Sequence, residues 1–246
     1  MSSEKSTAIV LRAIEFSETS CIVTLMTRDF GKITALAKGA RRKKSPFEAE
    51  LDVLSICRIA FLHKKSQVMD LLTEAKLERR FRSASTDLER LYAGFYVAEI
   101  LSALTDQADP FPELYDVAAE TLVGLDTDGL VPELLLRFEL STLRILGHLP
   151  ILDRCAGCGR EKTLVDRRVN FGMNAGGVLC DTCRQGKTAV VNLSAEGWQK
   201  LVQLADTENE TIGLTKTHKL YGELRQVMNQ YINHLLGRRP RLQKYL

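Results

Sequence analysis

The sequence of 246 residues contains no apolar run of about 18 residues, the length needed to cross a bilayer. Its first residues, Met1-Ser2-Ser3-Glu4-Lys5, lack the apolar stretch of a secretory signal. These absences predict a cytoplasmic chain with no membrane partner. Signatures of catalysis are missing too. There is no HExxH, no GxSxG, and no dense acidic cluster in a basic setting that would hold catalytic magnesium. Gly186-Lys187-Thr188 resembles the end of a phosphate-binding loop, but the required earlier glycine falls on Asp181, and Cys183 interrupts the loop. The four histidines, His63, His148, His218 and His234, are scattered and read as ordinary surface or core residues. The sequence reads as a binder, not as an enzyme.

Charge is the first positive signal. The net charge is only +3, but residues 1–80 carry fifteen Lys/Arg against ten Asp/Glu, residues 81–150 four against twelve, and residues 151–246 fifteen against nine. A polyanion is drawn to both ends and repelled by the middle. The strongest concentration follows a strand-like run, Ile33–Ala37, where Lys38, Arg41, Arg42, Lys43 and Lys44 place five cations in seven residues with no acid among them. Such a segment repels itself and suits phosphate groups; the plainer reading is a solvated surface loop.

The first 80 residues suggest five strands: one around Ile9–Ile14, then Cys21–Met26, Ile33–Ala37, Leu51–Leu62 and Val68–Thr73, with Arg28–Gly31 as a turn. A small five-stranded barrel with a basic loop suits the OB architecture. Phe16, Phe30 and Phe47 lie near strand ends, where they could stack on bases or simply anchor the core. From about Glu78 the period lengthens. Helices are expected over Leu88–Leu104 and Leu114–Leu125, and from Pro132 to Leu146, with Pro110 and Pro112 breaking the chain between the first two. Later, Ser194 caps a helix that buries Trp198, Leu201, Val202 and Ala205. The stripe Leu220, Tyr221, Leu224, Val227, Met228, Tyr231, Leu235 marks a last amphipathic helix ended by Gly237. The fold expected is α+β and multidomain: an OB-type barrel over 1–80, a helical domain over 81–150 resumed over 189–246 with a basic tail, and a four-cysteine zinc module over 151–188 inserted between its parts.

That module rests on Cys155-Ala156-Gly157-Cys158 and Cys180-Asp181-Thr182-Cys183. Two CxxC knuckles at this separation are the sequence form of a tetrahedral thiolate site, with one structural zinc per chain. Disulfides are the alternative, disfavoured in a reducing compartment. Cys21 and Cys57 read as buried thiols.

Glu15 to Lys32, the stretch Ala37-Lys38-Gly39-Ala40-Arg41-Arg42 with Lys44-Ser45, the paired knuckles and the ending Gly237-Arg238-Arg239-Pro240-Arg241-Leu242 together resemble the bacterial RecO family of recombination-repair proteins. The resemblance runs through the whole chain in order. It implies binding to single- and double-stranded DNA, strand annealing, and help in loading the recombinase onto DNA coated by single-strand-binding protein. It also implies RecR and the acidic tail of single-strand-binding protein as partners, and nucleoid association when DNA is bound. No catalytic residue is implied. A groove for that tail needs apolar wall beside positive charge, which Arg225, Arg238, Arg239 and exposed parts of the last stripe would supply; the plainer reading buries the stripe in the core. Two other classes stay open: a zinc-containing nucleic-acid-modifying enzyme and an RNA-binding adaptor.

Overall fold

The computed structural model describes residues 2–42, 45, 47, 51–63, 69–83, 87–161, 168–206, 213–216 and 219–246. The chain is α+β and divides by contact into two compact units, Met1–Asp128 and Gly129–Lys244.

In the first unit, strands β1 (Ser2–Glu15), β2 (Cys21–Thr27), β3 (Gly31–Ala37), β4 (Ile56–His63) and β5 (Asp70–Arg79) form a closed barrel in the order β1-β2-β3-β5-β4. Closure depends on the length of β1. Its first half pairs with β4, from Ser2↔His63 to Ile9↔Ile56, and its second half with β2, from Ala8↔Thr27 to Glu15↔Cys21. A register shift between Val10 and Arg12 bends it from one neighbour to the other. β3 meets β5 in a parallel pairing of only three residues, Ala35↔Asp70 to Ala37↔Leu72. Val23, Leu25, Ile59, Phe61 and Leu72 fill the interior, each fully buried side chain contributing roughly 1.5–3 kcal/mol.

Strand boundaries differ from those read in the sequence, and the first strand starts at Ser2, well before Ile9. The fourth strand begins at Ile56, not Leu51: Leu51 and Leu54 are buried, but Leu54 takes φ +74°, which turns the chain. The fifth strand runs on to Arg79, because Ala75 faces inward between charged residues that face out. Its expected start, Val68, lies outside the described residues.

Helices α1 (Leu88–Leu104) and α2 (Pro112–Leu125) belong to this same unit. Asp87 caps α1, accepting from the N–H groups of Glu89 and Arg90. Pro112, expected as a breaker, instead opens α2 at its first turn, where its missing N–H costs nothing. The helices are tied to the barrel at the β2–β3 turn. Arg28 makes a bidentate pair with Asp116, both contacts 2.9 Å. Lys32, only 7% exposed, donates from Nζ to the carbonyls of Ser102, at 2.7 Å, and Thr105. These are late carbonyls of α1, which a cation complements. Gly31 sits at φ +67°, and a Cβ there would lie 2.1 Å from the carbonyl oxygen of Asp109, so glycine is required twice over.

The second unit contains α3 (Val131–Ile145), strands β6 (Arg168–Gly172) and β7 (Gly177–Leu179), the short α4 (Asp181–Arg184), β8 (Val190–Ser194), α5 (Ala195–Ala205) and α6 (Tyr221–Leu236). β7, β6 and β8 form an antiparallel sheet. Ser194 caps α5 through the N–H of Gly197, and Trp198 and Leu201 are buried as expected, whereas Val202 is 37% exposed. α6 packs on α3 and α5. Gly237 ends α6 in the left-handed region at φ +64°.

Candidate metal centre and nucleic-acid interface

The knuckles are assembled around the small sheet. The first hangs on backbone bonds from Ala156 N–H to the Val178 carbonyl and from Cys155 N–H to the Arg160 carbonyl, each 2.8 Å. The second starts where β7 ends: Cys180 caps α4, and Cys183 lies within it. Trp198 on α5 donates from Nε1 to the Leu152 carbonyl at 2.8 Å, which fixes the approach to Cys155. The Sγ atoms of Cys155, Cys158, Cys180 and Cys183 all lie within 4.8 Å of one another, and those of Cys158 and Cys180 are 3.9 Å apart. A tetrahedron of thiolates at about 2.3 Å from a metal has edges of about 3.8 Å. No pair is a disulfide. The cluster is compatible with a structural metal.

The thiols are already polarised by one another. Burial pushes Cys155 up, but the N–H groups of Cys180, Cys158 and Gly157 outweigh this and bring it down to about 6. Cys180 is lowered chiefly by the Cys183 N–H, while hydrogen bonds to the Cys180 and Cys158 sulfurs push Cys183 up to about 12. Gly157 gives the knuckle room, since a Cβ there would sit 3.0 Å from both Cβ and Sγ of Cys183.

The basic segment emerges from β3. Lys38, Arg41 and Arg42 are exposed around a turn in which Gly39 takes φ +73° and its carbonyl accepts from the Arg42 N–H at 3.1 Å. Lys43 and Lys44 lie outside the described residues. The turn is pinned to the β1–β2 hairpin: the Arg41 N–H donates to the Thr19 carbonyl at 3.1 Å, and its guanidinium meets Glu15 at 3.0 Å. The sequence shows no acid inside the segment, yet the hairpin brings one from 26 positions earlier. Of the three phenylalanines, Phe47 is 7% exposed, Phe30 packs edge-on against Phe61 with centroids 5.3 Å apart, and Phe16 is 59% exposed.

Of the third group of sequence candidates, Arg225 and Arg239 line one cleft beside α6, with Arg225 buried. Arg225 is 5% exposed and holds Glu139 of α3 in a bidentate pair, at 2.6 and 2.9 Å. It is core, because α3 presents a buried carboxylate opposite it. Arg238 and Arg239 are exposed beyond α6. Leu220, Leu224, Val227, Met228 and Tyr231 are all buried, so the apolar stripe faces inward. A cleft of about 450 Å³ does run beside α6, but Gln226, Asn229, Asn233 and Gln243 line it along with Arg225 and Arg239, so its wall is largely carboxamide.

Fold and sites together define a two-unit α+β protein with an exposed basic turn on its barrel and a four-thiol cluster. The comparisons with known proteins are specific. The family model for Recombination protein O N terminal matches residues 1–81, and that for Recombination protein O C terminal matches residues 85–244. The chain is 43% identical over 262 aligned residues to the DNA repair protein RecO of Rhodopirellula baltica, with 97% of each chain covered. It is 30% identical over 247 residues to DNA repair protein RecO of Anaeromyxobacter dehalogenans, covering 100% of this chain and 96% of that one. The RecO of Myxococcus xanthus is 31% identical over 235 residues, with 94% and 92% covered. The chain belongs to the RecO family of DNA repair proteins. No helix among the described residues is long and apolar enough to cross a membrane.

Proposed function

We propose that this protein is a non-enzymatic mediator of DNA recombination and repair: it binds single- and double-stranded DNA, anneals complementary strands and helps load the recombinase onto DNA coated by single-strand-binding protein. The observation that carries this reading is the match to both family domains along nearly the whole chain. The barrel is read as an OB domain of about residues 1–80. Its strand order and the single parallel pair between β3 and β5 support that. The remaining proposed divisions are a helical domain over 81–150 and 189–246, and a zinc module over 151–188.

Lys38, Arg41 and Arg42, with Lys43 and Lys44 of the same segment, neutralise phosphates. A second basic surface holds the other strand, and the two meet with their mutual repulsion reduced. Cys155, Cys158, Cys180 and Cys183 hold one zinc, which would cross-link the knuckles and, with four thiolates around it, present no open position for water or substrate. RecR and the tail of single-strand-binding protein are the proposed protein partners. Arg238 and Arg239 offer that acidic tail its charge; with the stripe buried, Tyr221 included, Leu246 is the apolar contribution left at the α6 cleft.

The test is annealing of labelled complementary strands, naked and coated by single-strand-binding protein. The protein should accelerate both reactions and leave both strands chemically intact. No acceleration and no binding would overturn the reading, and cleavage or modification of the strands would favour an enzyme.

A further inference from the structure

Phe16 occupies an unusual place for a large apolar side chain. It stands at the start of the β1–β2 hairpin tip, its N–H bonded to the Ser20 carbonyl at 3.0 Å, and 59% of its surface is exposed. Ile14, two residues back on β1, is 41% exposed as well. Two apolar side chains open to water at the end of a strand give the isolated first unit no stability from burial. The tip's own charges are acidic, Glu15 and Glu18, and the cations come from the basic turn bonded to it. Glu15, between them, pairs with Arg41; Thr19 and Ser20 of the same tip accept from the N–H groups of Arg41, at 3.1 Å, and Gly39, at 3.4 Å. The tip and the basic turn are therefore bonded to one another. Together they present an aromatic ring at the tip, an aliphatic side chain at the end of β1 and the exposed Lys38, Arg41 and Arg42 on the turn.

We infer that Phe16 is a stacking platform for an unpaired nucleobase whose flanking phosphates lie on Lys38, Arg41 and Arg42. The inference rests on the nucleic-acid reading of the basic turn and adds to it a residue and a selectivity. Bases within a duplex are already stacked on one another and have no free face for the ring, while every base of a single strand has one. The ring makes this end of the barrel prefer single strands; the cations alone would not. A protein partner for an exposed phenylalanine is the competing occupant. The exposed Lys38, Arg41 and Arg42 on the turn bonded to the tip argue for a polyanion whose units carry flat apolar faces. Glu15 has a part in this: its carboxylate holds Arg41 in place in the free protein and must give it up when a phosphate arrives, an exchange that an exposed pair permits at little cost.

The experiment compares wild type with Phe16→Ala, Phe16→Trp and Arg41→Ala/Arg42→Ala, using fluorescent oligo(dT) and a duplex of the same length across a salt series. Phe16→Ala should weaken single-strand binding by about 5- to 140-fold with the salt slope and the duplex affinity unchanged, because stacking displaces no counterions. Phe16→Trp should restore single-strand affinity, and the fluorescence it adds should be quenched on saturation with oligo(dT) but not with duplex. Single-strand affinity of Phe16→Ala equal to wild type, or an unquenched signal from Phe16→Trp at saturation, would overturn the inference while the Arg41→Ala/Arg42→Ala result still judged the basic turn. Wild-type protein that bound neither DNA would overturn both.

Discussion

Two arginine–glutamate pairs show how much a residue's role depends on what lies opposite it. Arg41 and Glu15 meet at 3.0 Å with 44% and 75% of their side chains exposed, so water and salt screen the pair and it contributes little. Arg225 and Glu139 meet at 2.6 Å with 6% and 0% exposed. Removing one partner there strands a charge in the core, at a cost of about 3–5 kcal/mol. Glu139→Ala should therefore lower the stability of the second unit by that amount in urea unfolding. Replacing both residues, as Glu139→Leu with Arg225→Met, should recover much of the loss, because two apolar side chains can fill the space without a desolvated charge. A single variant as stable as wild type would show that the pair is not buried. Nothing in the sequence separates these two arginines. Arg225 lies on the one amphipathic helix whose polar positions read as surface, and only the packing of α3 against α6 makes it core.

At the scale of elements, legibility followed length and periodicity. The long helices α1, α3 and α6 are visible because their apolar positions repeat over several turns. The knuckles are visible because CxxC spacing is chemical and needs no context. The three-stranded sheet that brings the knuckles together was not legible: its strands are three to five residues long, too short for alternation to stand out. The barrel is expected from five short strands and their turns, but the pairings that close it are not legible, since they depend on one bent strand and three parallel pairs distant in sequence. The cluster itself gives a direct prediction. Protein purified without chelator under reducing conditions should contain one zinc per chain by elemental analysis, and Cys155→Ser or Cys183→Ser should lose it together with the thermal stability of the second unit. Structural sites of this kind supply roughly 10–16 kcal/mol of apparent binding energy. Retention should weaken toward acid, since protons compete with the metal for the thiolates. Metal-free wild-type protein with an unchanged melting temperature would remove the claim.

Across the whole molecule, charge is distributed in three blocks. Residues 1–80 carry a net +5, residues 81–150 a net −8 and residues 151–246 a net +6. The acidic block includes the carboxylates of α1 and α2, which would repel a polyanion bound at the barrel as proposed. This makes salt dependence a measure of where DNA binds. If Lys38, Arg41, Arg42, Lys43 and Lys44 each contact one phosphate, they contribute about −3.5 to the slope of log K against log salt for a single strand. Arg41→Ala/Arg42→Ala should then flatten that slope by about 1.4, whatever the sequence of the strand, and reduce duplex binding with a change of about 1.8. If the proposed second basic surface also meets phosphate, the slope that remains in the double variant should exceed the contribution of the three lysines left in the segment. An unchanged affinity and slope in a folded double variant would reduce the turn to solvated surface. A residual slope no larger than about 2.1 would mean that the turn is the whole of the DNA contact, and annealing would then need two protein molecules to bring two strands together.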